Sequence, residues 1–308
     1  MIFDLEFVKS CLGSELSEIT DYISTLSKGG IKYADNSLVS GDSYDKTTIK
    51  ILDDLNFLLK YKRDVSVDVI KKVIENAYYN RRFMCQEIEK TVVYTTRGVP
   101  IKARSVGMLK YLDSIENNTV TIAVGPAGTG KTYLAVAEAV KCFKAKTVDR
   151  IVLTRPAVEA GEKLGFLPGD LKEKVDPYLR PIYDALAEFL GQETYMKYME
   201  KGTIEVAPLA FMRGRSLNDS FVILDEAQNT SPEQMKMFLT RIGRNSIAVV
   251  NGDISQTDLP YINRNGLGQA MEILEDVEGV GMVYLDERDA VRSDICGKIL
   301  SAYEKKGL

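Results

Sequence analysis

Eight consecutive residues, Gly125-Pro126-Ala127-Gly128-Thr129-Gly130-Lys131-Thr132, satisfy every fixed position of G-x-x-x-x-G-K-[S/T]. The chemistry of such a loop is polyphosphate binding. Glycines at 125, 128 and 130 let the backbone wrap closely and turn successive N–H groups toward phosphate oxygens. Lys131 would reach the β- and γ-phosphates of ATP, and the Thr132 hydroxyl would ligate Mg²⁺. A glycine-rich turn with an incidental Lys-Thr pair is the bland alternative. Context disfavours it: the loop follows the apolar run 119–124 (TVTIAV) and opens the helical pattern of 133–138 (YLAVAE). A helix beginning there adds its partial positive charge to the loop.

Two acidic or polar strand ends extend this chemistry. Phe221-Val222-Ile223-Leu224 runs into Asp225-Glu226, 94 residues after Lys131. Asp225 would hold Mg²⁺, directly or through water, and Glu226 would polarise the attacking water. The plainer role for such acids is capping the helix that starts near Ser231-Pro232. Val249-Val250 likewise runs into Asn251-Gly252-Asp253-Ile254-Ser255-Gln256. Gln256 would sense the γ-phosphate or orient the lytic water, although Gly-Asp after a strand is also ordinary turn chemistry. The chain has no histidine. That excludes Ser-His-Asp triads and His-ligated zinc, and leaves acid–base work to carboxylates, lysine or metal-bound water.

These residues need a scaffold, and the composition allows one. In 308 residues, 45% are hydrophobic and 27% charged, a globular balance without a disorder signature. The net charge of −4 gives no global attraction to polyanions, so any such binding must come from local basic patches. Cys11, Cys85, Cys142 and Cys296 form no C-x-x-C pair and read as reduced thiols. Acidic residues at the start, where a signal peptide carries Lys or Arg, argue for a cytoplasmic location. No run of ~18 apolar residues suggests a membrane span.

From 119 onward, short β-branched runs (119–124, 149–154, 203–206, 220–225, 246–251, 280–285) alternate with helical patterns (131–145, 171–190, 193–201, 231–243, 266–276, 292–305). Such alternation predicts an α/β fold with a parallel sheet, its strands buried on both faces. Residues 1–90 read differently: a helix over 1–28, short extended stretches near 31–33 and 38–39, then helices over 47–61 and 67–79. The order predicts a small N-terminal α+β domain (1–90), a connecting segment (91–105) and a P-loop NTPase domain (106–308). Strands between loop and acids, and the paired Asp225-Glu226, resemble the RecA-like class.

The set GPAGTGKT, ILDEAQNT and NGDISQTDLP closely resembles the PhoH family of bacterial ATPases, relatives of superfamily 1 helicases. So do the stretch Thr154–Asp170 (TRPAVEAGEKLGFLPGD) and Met212–Asp219 (MRGRSLND). The resemblance spans roughly 91–305. It implies a RecA-like core, ATP hydrolysis with Mg²⁺, a role in RNA metabolism and an N-terminal domain likened to KH modules. Residues 1–90 lack the G-x-x-G backbone clamp of RNA-binding KH modules. Where the family has Gly-Gln-x-x-Tyr, this chain has Gly107-Met108-Leu109-Lys110-Tyr111. Where it has Asp-Val-Val-Arg-His, Asp289-Ala290-Val291-Arg292-Ser293 keeps the arginine. Among Arg155, Arg213, Arg215, Arg241, Arg244 and Arg292, the resemblance favours Arg292 as a charge-stabilising arginine, supplied across subunits of a homo-oligomeric ring. RNA remodelling or unwinding is the function implied. The rival is a nucleotide-gated scaffold that recruits a ribonuclease or ribosome-maturation factor.

Overall fold

The computed structural model describes residues 16–26, 31–34, 37–40, 51, 54–55, 57–59, 65–79, 90–156, 171–254, 256, 265–291 and 299. Arg292, the stretch 157–170 and most of the helices expected over 47–61 and 292–305 lie outside them. The chain divides into two compact units: Met1–Lys90 with Arg104–Val106 and Glu287–Asp289, and the remainder.

In the smaller unit, helix α1 (Leu16–Leu26) precedes an antiparallel pair, β1 (Ile31–Ala34) and β2 (Ser37–Ser40), with Ile31 opposite Ser40. Helix α2 (Val67–Tyr78) follows. Ile19 and Ile23 of α1 lie one turn apart and are buried, as are Val69, Ile70, Val73 and Ile74 of α2. This spacing puts each set on one helix face, and the two helices pack together.

The segment 91–105, read from sequence as a connection, is folded. β3 (Lys90–Tyr94) pairs with β4 (Pro100–Ala103). Thr96 N donates to Glu188 O at 2.9 Å, and Thr91–Ala103 belongs to the larger unit. Helix α3 (Val106–Asn117), which the sequence reading does not anticipate, follows directly.

A six-stranded sheet forms the larger unit. Its strands are β5 (Val120–Val124), β6 (Arg150–Arg155), β7 (Ile204–Pro208), β8 (Ser220–Leu224), β9 (Ile247–Gly252) and β10 (Val280–Tyr284). The order is β10-β5-β9-β8-β6-β7, and every pairing is parallel. Crossover connections make this possible: the helices α4 (Lys131–Lys144), α5 (Leu171–Leu190), α6 (Gln192–Glu200), α7 (Pro232–Leu239) and α8 (Gly266–Leu274), and between β7 and β8 a 3-10 turn (Leu209–Met212).

Alternating strand residues feed two cores. Ile122, Val124, Val222, Leu224 and Val250 cluster with Met235 and Phe238 of α7 and Leu267 of α8. The intervening residues, including Ala123, Phe221, Ile223 and Val249, are equally buried on the opposite face, where α4 packs. Helix α7 starts at a capping box: Gln234 N donates to Ser231 Oγ (3.3 Å) and Ser231 N to Gln234 Oε1 (2.9 Å). It ends at Leu239, short of the expected 243. Beyond Thr240 the backbone turns to bridge Leu217, with Leu217 N donating to Arg241 O at 2.8 Å. Among the described residues, no helix is long and apolar enough to cross a membrane.

Candidate functional site

Register fixes where the chemistry collects. Val124 is paired with Gly252 and Ala123 with Asn251, while Leu224 is paired with Val250 on the other side. The C-terminal ends of β5, β9 and β8 therefore lie side by side, with β9 between the loop strand and the acidic strand. A cavity of about 260 Å³ opens there. The loop residues Ala127, Gly128, Gly130, Lys131 and Thr132 line it, together with Asp225, Glu226, Asn251, Asp253 and Gln256. Ligands in open α/β sheets bind at this strand edge.

The remaining loop residues shape the turn. Gly125 sits so close to Leu285 that a Cβ would lie 2.6 Å from its carbonyl oxygen. Gly128 and Gly130 have φ of 85° and 78°, the left-handed region where a side chain is strained. Pro126 O accepts from Thr129 Oγ1 at 3.0 Å, and Thr129 is fully buried. Lys131 curls back over its own loop. Its Nζ donates to Gly125 O (2.6 Å), Pro126 O (2.9 Å) and Thr129 Oγ1 (3.2 Å). Burial pushes the ammonium below its usual pKa, while the negative charges of Asp253, Asp225 and Glu226 oppose the shift.

Asp225 is buried and held from two sides. Thr132 Oγ1 donates to Oδ1 at 2.7 Å; Arg155 Nε donates to Oδ2 at 2.8 Å, and Nη2 joins it there. Hydroxyl and carboxylate oxygens together form a hard donor pair of the kind Mg²⁺ accepts when phosphate and water complete its shell. Among the described residues, no group of three or more His, Cys, Asp or Glu could hold a metal ion. Glu226 is exposed and adopts a left-handed backbone, φ 55°, uncommon for a residue with a side chain.

Gln228 is a residue whose part the sequence does not reveal. Fully buried, it donates from Nε2 to Glu226 Oε2 (2.7 Å) and accepts on Oε1 from Asp253 N (3.0 Å). It thus ties two strand ends together. A Cβ on Gly252 would meet Gln228 Oε1 at 3.1 Å and Leu267 at 2.4 Å, so the glycine admits this bridge. Asn251 and Tyr111 meet at the same strand end: Tyr111 Oη lies 2.7 Å from Asn251 Oδ1 and 3.2 Å from Lys131 O. Met108, standing at the family's glutamine position, is buried, with Cε 3.8 Å from where a Gly130 Cβ would be. Gln256 lines the cavity and is exposed, and its N–H bonds to Asp253 O at 3.1 Å. Arg292 lies outside the described residues; its neighbour Val291 donates from N to Gly128 O at 2.8 Å.

A parallel sheet with a phosphate-loop turn between β5 and α4, and one strand between loop strand and acidic strand, defines a P-loop NTPase fold of the α/β class. Within that class the chain belongs to the PhoH family, whose profile (PhoH-like protein) matches residues 100–304. The chain is 47% identical over 270 residues to a PhoH-like protein of Bacillus subtilis (strain 168), covering 87% of this chain and 85% of that protein. It is 54% identical over 221 residues to a PhoH-like protein of Synechocystis, covering 71% and 67%. With Protein PhoH of Escherichia coli (strain K12) it shares 49% identity over 207 residues, 66% and 58% of the two chains.

Proposed function

We propose that this protein binds ATP with Mg²⁺ in the cavity at the ends of β5, β9 and β8, hydrolyses it, and couples the reaction to RNA remodelling. The observation that carries the first part is the direct bond between Thr132 and Asp225 beside an accessible Glu226. Thr132 and Asp225 would hold Mg²⁺, which when bound neutralises phosphate charge. Lys131 exchanges its loop carbonyls for phosphate oxygens, acceptors that carry full charge. Glu226 takes the proton of the attacking water, with its Oε2 held by Gln228. Gln256 completes the cavity near the γ-phosphate.

The RNA part is supported by the family resemblance and by one surface feature. After β7, Phe211 is 51% exposed, and Arg213, two residues on, is exposed as well. The turn is braced by Arg215, whose two terminal nitrogens bond to Glu205 at 2.7 Å each. An exposed ring and an exposed guanidinium close in sequence suit stacking on unpaired bases. ATP turnover measured with and without single-stranded RNA tests the reading. Stimulation is expected; turnover indifferent to RNA would favour the scaffold reading.

A single RecA-like core implies that movement along RNA requires a homo-oligomer. Arg292, on the resemblance, is proposed to stabilise charge across the subunit boundary. Mixing Arg292→Ala with Glu226→Gln subunits should restore partial turnover. No recovery despite subunit exchange would overturn the trans arginine and favour Arg155 or Arg241 acting in cis.

A further inference from the structure

β6 and β8 lie side by side, with Thr154 paired to Leu224. The residues that follow, Arg155 and Asp225, stay in step: Asp225 N donates to Thr154 O at 2.9 Å. Matching positions on neighbouring strands project to the same face, so register alone brings guanidinium and carboxylate together. Arg155 Nε donates to Asp225 Oδ2 at 2.8 Å, and Nη2 donates to the same oxygen. Both side chains are largely buried.

The carboxylate is shared unevenly. Arg155 takes Oδ2 with two N–H groups, and Oδ1 is left to Thr132 Oγ1 at 2.7 Å. The torsion that turns an aspartate carboxylate is broad, so by itself the group could present either oxygen to the threonine. A guanidinium removes that freedom, because its nitrogens lie in one rigid plane. An ammonium would bring the charge without the fork.

We infer that Arg155 is a positioning residue for the metal: by holding Oδ2 it presents Oδ1, beside Thr132 Oγ1, as the atom Asp225 offers to Mg²⁺, and so sets how much Mg²⁺ nucleotide binding requires. The inference rests on the reading of Thr132 and Asp225 as the metal-holding pair. Arg155 acts through Asp225, from which it is separated by 70 residues of chain. A group that orients a metal ligand in this way typically changes metal affinity roughly 10- to 100-fold.

The test follows binding of a fluorescent, non-hydrolysable ATP analogue to the full chain as Mg²⁺ is titrated, with a parallel measurement in EDTA. In wild type, Mg²⁺ should tighten binding. Arg155→Ala should raise the Mg²⁺ concentration at half of this effect roughly 10- to 100-fold, with the affinity in EDTA nearly unchanged. Arg155→Lys, which keeps the charge and loses the fork, should shift the same midpoint in the same direction by a smaller factor. It decides the matter alone if Arg155→Ala does not fold. In an Asp225→Asn background, Arg155→Ala should move the midpoint no further, because no charged ligand is left to orient. Equal losses with and without Mg²⁺, an unmoved midpoint, or one lowered because the guanidinium had competed with the metal, would each overturn the role of Arg155. A shift as large in the Asp225→Asn background would do the same. Wild-type binding indifferent to Mg²⁺ would instead overturn the metal pair, and no binding at all would overturn the nucleotide site.

Discussion

Thr132 Oγ1 donates a 2.7 Å hydrogen bond to Asp225 Oδ1, joining the first turn of α4 to the end of β8 across 93 residues. The two strands concerned, β5 and β8, are not neighbours: β9 lies between them. The bond therefore spans the end of β9, and the two oxygens stand at one point before any ligand arrives. Arg155, at the end of β6, holds the other carboxylate oxygen. An acid that would be costly to bury alone is buried because both of its oxygens are bonded.

Removing that partner tests the point. Arg155 and Asp225 side chains are 13% and 4% exposed, so Arg155→Ala strands a buried carboxylate. A loss of about 3–5 kcal/mol in urea unfolding is expected. Adding Asp225→Asn should recover much of it, because the unpaired charge is gone. A double variant no more stable than Arg155→Ala would assign the loss to packing.

Lys131→Ala should abolish ATP turnover while leaving the ligand-free melting temperature near that of wild type, with ATP stabilising only the wild type. Undiminished turnover would remove the lysine from the site. The charge also has a pH signature. Because the folded pKa is lowered, the unfolded chain binds the proton more tightly, and stability should rise with pH between the folded value and 10.5. Lys131→Met should flatten that part of the stability-against-pH curve.

Glu226→Gln preserves shape and an acceptor for Gln228 but removes the base. Turnover should fall roughly 10²–10⁴-fold with ATP affinity little changed. A collapse of ATP binding would make Glu226 a metal or structural residue and undo its separation from Asp225.

The sheet was legible because its strands are rich in apolar, β-branched residues: all five residues of β8, four of them apolar, are buried. The loop was legible because its spacing is local. What escaped was long-range. Nothing in Gln228 or Asp253 alone announces that 25 residues of chain fold back to bond them. Helix α3 was missed although Tyr111 lies in a quoted motif, since its hydroxyl meets Asn251 across 140 residues. The strand pair β3–β4 is not legible because its strands are only five and four residues long, too short for alternation to stand out.

Gln228 offers the sharpest separation of positioning from chemistry. Its amide bonds both the proposed base and the backbone that follows β9. Gln228→Leu keeps volume and removes both bonds. Stability should fall by about 1–3 kcal/mol, because the buried Asp253 N–H loses this acceptor. The catalytic effect should be distinct: kcat falls as Glu226 leaves its held rotamer, while the affinity for ADP, which does not depend on the base, stays put. Gln228→Glu is the companion variant. It restores an acceptor for Asp253 N–H but sets a carboxylate against Glu226, so stability should recover only in part and kcat should remain low. Gln228→Leu with unaltered kcat would mean that Glu226 is positioned by its left-handed backbone alone, and the hydrogen bond to Gln228 would then be structural.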